Sequence, residues 1–244
     1  MPPIIPPINP ASGCHTELAY NAFISEWRVA SGETIVLPLP AGWSYEFAID
    51  WGDNDANTEA YPYYSSKSHP GRVQHTYAAA GTYVVSIYGV VEGWSFQEIP
   101  DSAMNLLAVH DLGDLGWQYL RGAFYNAKNL QTLKGGNTSQ VSDMSNMFAG
   151  ATLVQPDLSH WSFASATDLS GMFKDSTLAT VVYDLLLQRI VATTKQHNLT
   201  LDAGNSRHSP QGALEKQKLL TLGWTIHDQG ATALRMRMVG DKLD

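Results

Sequence analysis

The chain has 244 residues, 44% of them hydrophobic, enough to bury a substantial core and to exclude a chain disordered throughout. Its 15 basic and 23 acidic side chains leave a net charge of −8, so a nucleic-acid backbone or an anionic membrane surface is repelled at long range, and no basic patch of any size offsets this. A single cysteine, Cys14, excludes an intrachain disulfide and a zinc site built on cysteines.

Residues 1–16 form a proline-rich segment, with five prolines among the first ten residues. That density favours an extended polyproline II arm, which cannot pack on itself. Its apolar residues Ile4, Ile5 and Ile8 are candidates for docking on a partner subunit. Ala11-Ser-Gly-Cys14 faintly matches a lipoprotein cleavage site, but the preceding MPPIIPPINP has neither a positive start nor an unbroken apolar run. No stretch approaches the apolar length of a membrane span. The expectation is a soluble protein without an export signal.

Residues 17–92 read as β. Thr34-Ile-Val-Leu-Pro-Leu-Pro, Tyr45-Glu-Phe-Ala-Ile-Asp-Trp and Thr82-Tyr-Val-Val-Ser-Ile-Tyr-Gly alternate or carry β-branched runs between turn residues. Asp50-Trp-Gly-Asp53 ends one of these runs, and His75-Thr-Tyr77 with Gly81-Thr-Tyr83 opens the last. Gly52 permits a tight turn, Asp53 is suited to accept bonds from turn amides, and Trp51 and the tyrosines can fill a small core. This pairing of W-G-D with H-T-Y…G-T-Y-x-V resembles the PKD-like family of immunoglobulin-like sandwiches over about seventy residues.

Residues 93–183 contain a repeated phrase, Met144-Ser-Asn-Met-Phe148 and Leu169-Ser-Gly-Met-Phe173, with a looser copy at Leu120-Arg-Gly-Ala-Phe124. The phenylalanines are 24 and 25 residues apart, a period typical of stacked units that cannot bury their apolar faces singly. A small residue, Ala127, Ala151 or Ser176, follows each phenylalanine three places on. Together with Val141-Ser-Asp-Met and Asp157-Leu-Ser-His-Trp161, the phrase resembles the BspA-type repeats, a divergent leucine-rich-repeat group with the pattern V-T-D-M-S-x-M-F…D-L-S-x-W. The copy at Leu120–Phe124 lacks the Ser and Asp features, so a capping or atypical repeat is expected there.

Residues 184–230 continue that resemblance as a C-terminal cap. A helix is expected to open at Tyr183-Asp184 and to run through Leu185, Leu186, Leu187 and Ile190. Leu199-Thr-Leu-Asp-Ala-Gly204 reads as a final strand and turn. Ser209-Pro210 reads as an N-cap with proline at the first helical position, and Gly223 as the stop. Ala213, Leu214, Gln217 and Leu220 give that second helix an inward stripe. Residues 231–244 lie beyond the resemblance and read as an additional docking tail.

A search for chemistry turns up little. The eight histidines follow no zinc-ligand spacing, and no nucleophile elbow, P-loop or dinucleotide fingerprint is present. Asp111 and Asp114 sit among Gly and Leu and read as turn formers. Asp53, Asp55, Asn57 and Glu59 alternate like the start of a calcium loop, but Thr58 and Tyr64 stand where the glycine and final glutamate belong, so a plain polar loop fits as well. Tyr61, Tyr63, Tyr64 and His69 give the same loop the composition of a recognition surface, although tyrosines there could also fold back on their own domain.

The expected fold is therefore mainly β with an α/β solenoid: an immunoglobulin-like β-sandwich plus a short capped leucine-rich-repeat-like domain. Both resemblances imply a non-enzymatic protein with no cofactor. The lead reading is a virion structural or host-attachment protein of a phage tail, baseplate or fibre. It would bind partner subunits of an oligomeric assembly and a surface glycan or protein receptor, without nucleic acid or membrane insertion. A bacterial cell-surface adhesin is the alternative, and a polysaccharide-acting enzyme the third.

Overall fold

The computed structural model describes residues 22–53 and 72–232, and these are mainly β, with ten strands and two α-helices. Strand β1 (Phe23–Val29) directs Phe23, Ser25, Trp27 and Val29 inward. Sequence reading did not single this strand out, because Ser25 interrupts the hydrophobic alternation. The structure accounts for the buried hydroxyl: Ser25 Oγ accepts a hydrogen bond from Trp27 Nε1 at 2.8 Å and donates to the Val85 carbonyl.

β1 pairs antiparallel with β5 (Gly81–Val91) on one side and with β6 (Leu106–Asp111) on the other, and β5 carries β3 (Tyr45–Asp50) on its far edge. The short strands β2 (Thr34–Val36) and β4 (Gln74–Thr76) form a separate antiparallel pair. A 3-10 turn over Pro100–Asn105 ties this pair down, since Ser102 Oγ accepts from the Val36 amide.

From β6 onward the sheet becomes parallel. β7 (Thr132–Leu133) and β8 (Gln155–Pro156) complete the order β3-β5-β1-β6-β7-β8. A second parallel ladder links Gly93, Tyr119, Asp143 and Asp168. It continues through Leu169 and Leu201 into β9 (Thr200–Asp202), which pairs in parallel with β10 (Thr225–His227). The segment at 199–204 is thus followed by one more strand. Each turn donates its amides to the next: Phe124 N to Met147 O at 2.8 Å, Phe148 N to Met172 O at 2.8 Å, Phe173 N to Asp202 O at 2.9 Å.

The looser copy at Leu120–Phe124 does not cap this stack. Trp94 N bonds Tyr119 O and Phe96 N bonds Gly122 O, so another turn lies beneath it. That turn escaped notice because it carries Trp94 and Phe96 and lacks the Ser-x-Met-Phe phrase. The buried side chains form one contiguous cluster from Phe23 to Trp224, which includes Val91 and Trp94 on either side of the 92/93 boundary.

The period of the repeat has a direct physical basis. Phe148 stacks on Phe124 at 5.4 Å and on Phe173 at 5.0 Å, with interplanar angles of 15° and 12°, and all three rings are fully buried. The small residues three places on leave room for the chain to turn inward, and Ser176 Oγ satisfies the Phe148 carbonyl.

Helix α1 (Thr180–Thr193) opens three residues before Tyr183 and buries Tyr183, Leu186, Leu187 and Ile190. Helix α2 (Pro210–Thr221) begins as expected, with Ser209 Oγ accepting from the amides of Gln211 and Gly212. Its inward stripe differs from the expected one. Gly212 and Leu219 are buried, whereas Leu214 and Leu220 are exposed. The cause is Gly212, which lets α2 press its backbone against the Asp184 carboxylate and so rotates the contact face. At the end of the parallel sheet, the Gln155 side chain donates to Thr177 O at 3.0 Å and accepts from Ala179 N at 2.8 Å.

Candidate functional site

The W-G-D and H-T-Y phrases meet at the root of the tyrosine loop. Gly52 adopts φ 78° against the Val84 backbone, where no Cβ would fit. The Gly52 amide donates to the Asp50 carboxylate at 2.9 Å, and Asp53 pairs with His75 Nε2 at 2.5 Å. His75 stacks on Trp51 and meets Tyr77 edge-on, and the Tyr77 hydroxyl donates to the Trp51 carbonyl. This root is rigid and aromatic. Of the candidate calcium residues, Asp53 lies here, while Asp55, Asn57 and Glu59 fall outside the described residues, as do Tyr61, Tyr63, Tyr64 and His69. The arm residues Ile4, Ile5 and Ile8 also lie outside them.

Of the two carboxylates expected to form turns, Asp111 accepts from the Gly113 amide, whereas Asp114 accepts from the Asn137 side chain at 3.1 Å. Asp111, Asp143, Asp157, Asp168, Asp202 and Asp228 each accept from the amide two residues on, at 2.8 to 3.0 Å. Their recurrence in Asp-x-Ser and Asp-x-Gly phrases reflects this local bond. No group of three or more His, Cys, Asp or Glu side chains could hold a metal among the described residues. Nor is any helix among them long and apolar enough to cross a membrane.

The C-terminal helices meet the last strand through one buried carboxylate. Asp228 accepts from Tyr183 Oη at 2.6 Å and from Lys216 Nζ at 2.8 Å. Burial alone would raise the Asp228 pKa, but the bonds from Lys216, Tyr183 and the Gly230 amide outweigh it and hold the pKa below its ordinary value. Burial, and then the bond to Asp228, pushes the Tyr183 phenol well above its usual value. A depressed carboxylate pKa contributes stability that is present above the unfolded value of about 3.9 and is lost as pH falls through the folded value. Thermal melts between pH 7 and pH 3 should therefore show a stability loss at the acid end. Asp228→Asn should melt several degrees lower at neutral pH and have a flatter acid slope; a slope equal to that of the unaltered chain would remove Asp228 as the cause.

The turns flanking the phenylalanine stack form a distinct face. Two places before each phenylalanine stand Gly122, Asn146 and Gly171, and two places after stand Asn126, Gly150 and Asp175. All six have left-handed backbones, with φ between 52° and 73°. Asn, Asp and Gly are the residues that adopt this conformation most readily. The amide side chains overlie glycines of the next turn: Gln97 over Gly122, Asn126 over Gly150 and Asn146 over Gly171. Between them runs an open groove of about 260 Å³, lined by Gln97, Tyr125, Asn126, Asn146, Lys174 and Asp175. Sequence reading missed these residues. The only signal was the recurrence of Asn, Asp and Gly beside each phenylalanine, which pointed to turns and not to a surface.

Residues 118–183 match a family described as Mycoplasma protein of unknown function, DUF285. The matched stretch contains all three copies of the phenylalanine phrase. No curated protein and no solved structure matches the chain.

Proposed function

We propose that this chain is a non-enzymatic attachment protein: a PKD-like immunoglobulin-like sandwich fused to a short, capped BspA-type solenoid that presents its turns to partners. The observation that carries this reading is the phenylalanine stack, with rings 5.0 and 5.4 Å apart inside ladder-bonded turns. Such a stack fixes the spacing of surface side chains without ordering cost on binding. The setting we favour is a phage tail, baseplate or fibre, where the arm at 1–16 and the tail at 231–244 would dock on neighbouring subunits. The match of residues 118–183 to a Mycoplasma family favours a second reading, an adhesin on a bacterial cell surface.

Quantitative mass spectrometry of purified particles and cell envelopes separates the two. A fixed number of copies per particle, lost on deletion of residues 1–16, is the expected result. Copies found only on the cell envelope would overturn the virion setting and select the adhesin.

A further inference from the structure

The groove across the turns is chemically unlike its surroundings. On the neighbouring face of the same turns, polar side chains are bonded within the protein: Gln118 to Glu92, Tyr119 to Glu98, Ser142 to the Gln118 carbonyl, Thr167 to the Ser142 carbonyl. In the groove, the side chains of Gln97, Tyr125, Asn126, Asn146, Lys174 and Asp175 make no hydrogen bond among the described residues. Three backbone amides along the groove are already engaged. Asn126 N is bonded to Ala149 O, Asn146 N to Ser170 O and Gly150 N to Lys174 O, all at 2.9 Å. With those amides engaged, recognition falls to the side chains, which disfavours an extended peptide, because such a peptide reads an open sheet edge through backbone bonds.

We infer that this groove binds one ring of a neutral, hydroxyl-rich saccharide. Three side-chain amides supply donors and acceptors together, and a sugar hydroxyl is likewise both donor and acceptor. Lys174 and Asp175 carry opposite charges, so the groove attracts neither an anion nor a cation overall. The half-buried Tyr125 ring offers an apolar wall for the C–H face of a pyranose. A volume of about 260 Å³ lies just below the range of about 300–1,000 Å³ typical of small-ligand sites, which suits a single ring with the rest of the chain in solvent. Asn126 and Asn146 sit on left-handed backbone inside the ladder and pack over Gly150 and Gly171, which restricts their side chains before the ligand arrives.

This inference rests on the attachment reading but not on its setting. The test is saturation-transfer NMR on the full chain with four neutral disaccharides: maltose, lactose, cellobiose and chitobiose. Asn146→Gly removes an amide while keeping a residue that the equivalent positions 122 and 171 already use. Gln97→Ala removes a second amide at an exposed site. The expected result is transfer to at least one disaccharide, with affinity lowered at least about tenfold by the two substitutions together, as the loss of one or two hydrogen bonds implies. The melting temperature should change little. Absence of transfer to all four sugars at millimolar concentration would overturn the inference, as would binding that survives both substitutions. With a sulfated disaccharide as a fifth probe, binding confined to it and abolished by Lys174→Ala would overturn the inference in favour of an anionic ligand. In each of those cases particle or envelope association would be unaffected, which separates failure of this site from failure of the attachment reading.

Discussion

Phe148→Ala is expected to destabilise the protein by about 3–5 kcal/mol, the usual range for removing a buried aromatic ring from a packed core. For a body of this size that corresponds to a drop of roughly 6–20 °C in melting temperature. Phe148 is the most exacting position in the stack because its ring faces Phe124 on one side, Phe173 on the other and Trp161 at 6.2 Å. Truncation leaves a cavity between two turns whose backbones are tied together, so neither can collapse to fill it. Phe148→Leu should recover about half of the loss, since it restores volume but not ring stacking. The same substitution at Leu153, which is 53% exposed, should cost almost nothing and serves as the control. Equal melting temperatures for Phe148→Ala and Leu153→Ala would remove the stack as the source of rigidity.

A comparably large effect is expected at a position with no side chain at all. Gly171 has φ 65°, and a Cβ there would meet Asn146 Oδ1. Gly171→Ala should cost ~1–2 kcal/mol for the left-handed backbone and a comparable amount for displacing the asparagine. Gly32 separates the two contributions, because its φ is 76° but nothing lies within 4 Å of a Cβ built there. Gly32→Ala should therefore show the backbone cost alone. Adding Asn146→Gly to Gly171→Ala should return the steric part, a coupling of roughly 0.5–3 kcal/mol in a double-mutant cycle. A Gly171 variant no worse than the Gly32 variant would mean that the asparagine moves aside freely, and that the amides of the groove are not held in place.

The parts of this fold that the sequence disclosed share one property: a strong local constraint repeated in register. The phenylalanine phrase was legible because each of its three copies places one ring in the same column. Ser209-Pro210 was legible because an N-cap is a local bond. The parts that were missed depend on partners far along the chain. β1 was hidden by Ser25, whose burial makes sense only beside Val85 and Trp27. The turn at Gly93–Gln97 was hidden because it buries Trp94 and Phe96, packed against each other, and lacks the repeated phrase. The face of α2 was misassigned because the contact that orients it belongs to a glycine, and hydrophobic periodicity gives no weight to a residue without a side chain. The groove was illegible for a related reason. Asn126, Gly150 and Asp175 hold equivalent backbone positions but differ as side chains, so the feature they share is a dihedral angle and not a residue type.

The Gln155 side chain has a consequence beyond the turn it closes. A stack of parallel rungs has an open end, and an open end of free amides and carbonyls is a template on which another chain can pair. Here the last rung contains Pro156, which has no amide to offer. Its neighbour Gln155 engages Thr177 O and Ala179 N, two groups that a further strand would have sought. Growth at the β8 edge is therefore blocked from within, and a second copy of this stacked protein finds no template for pairing there.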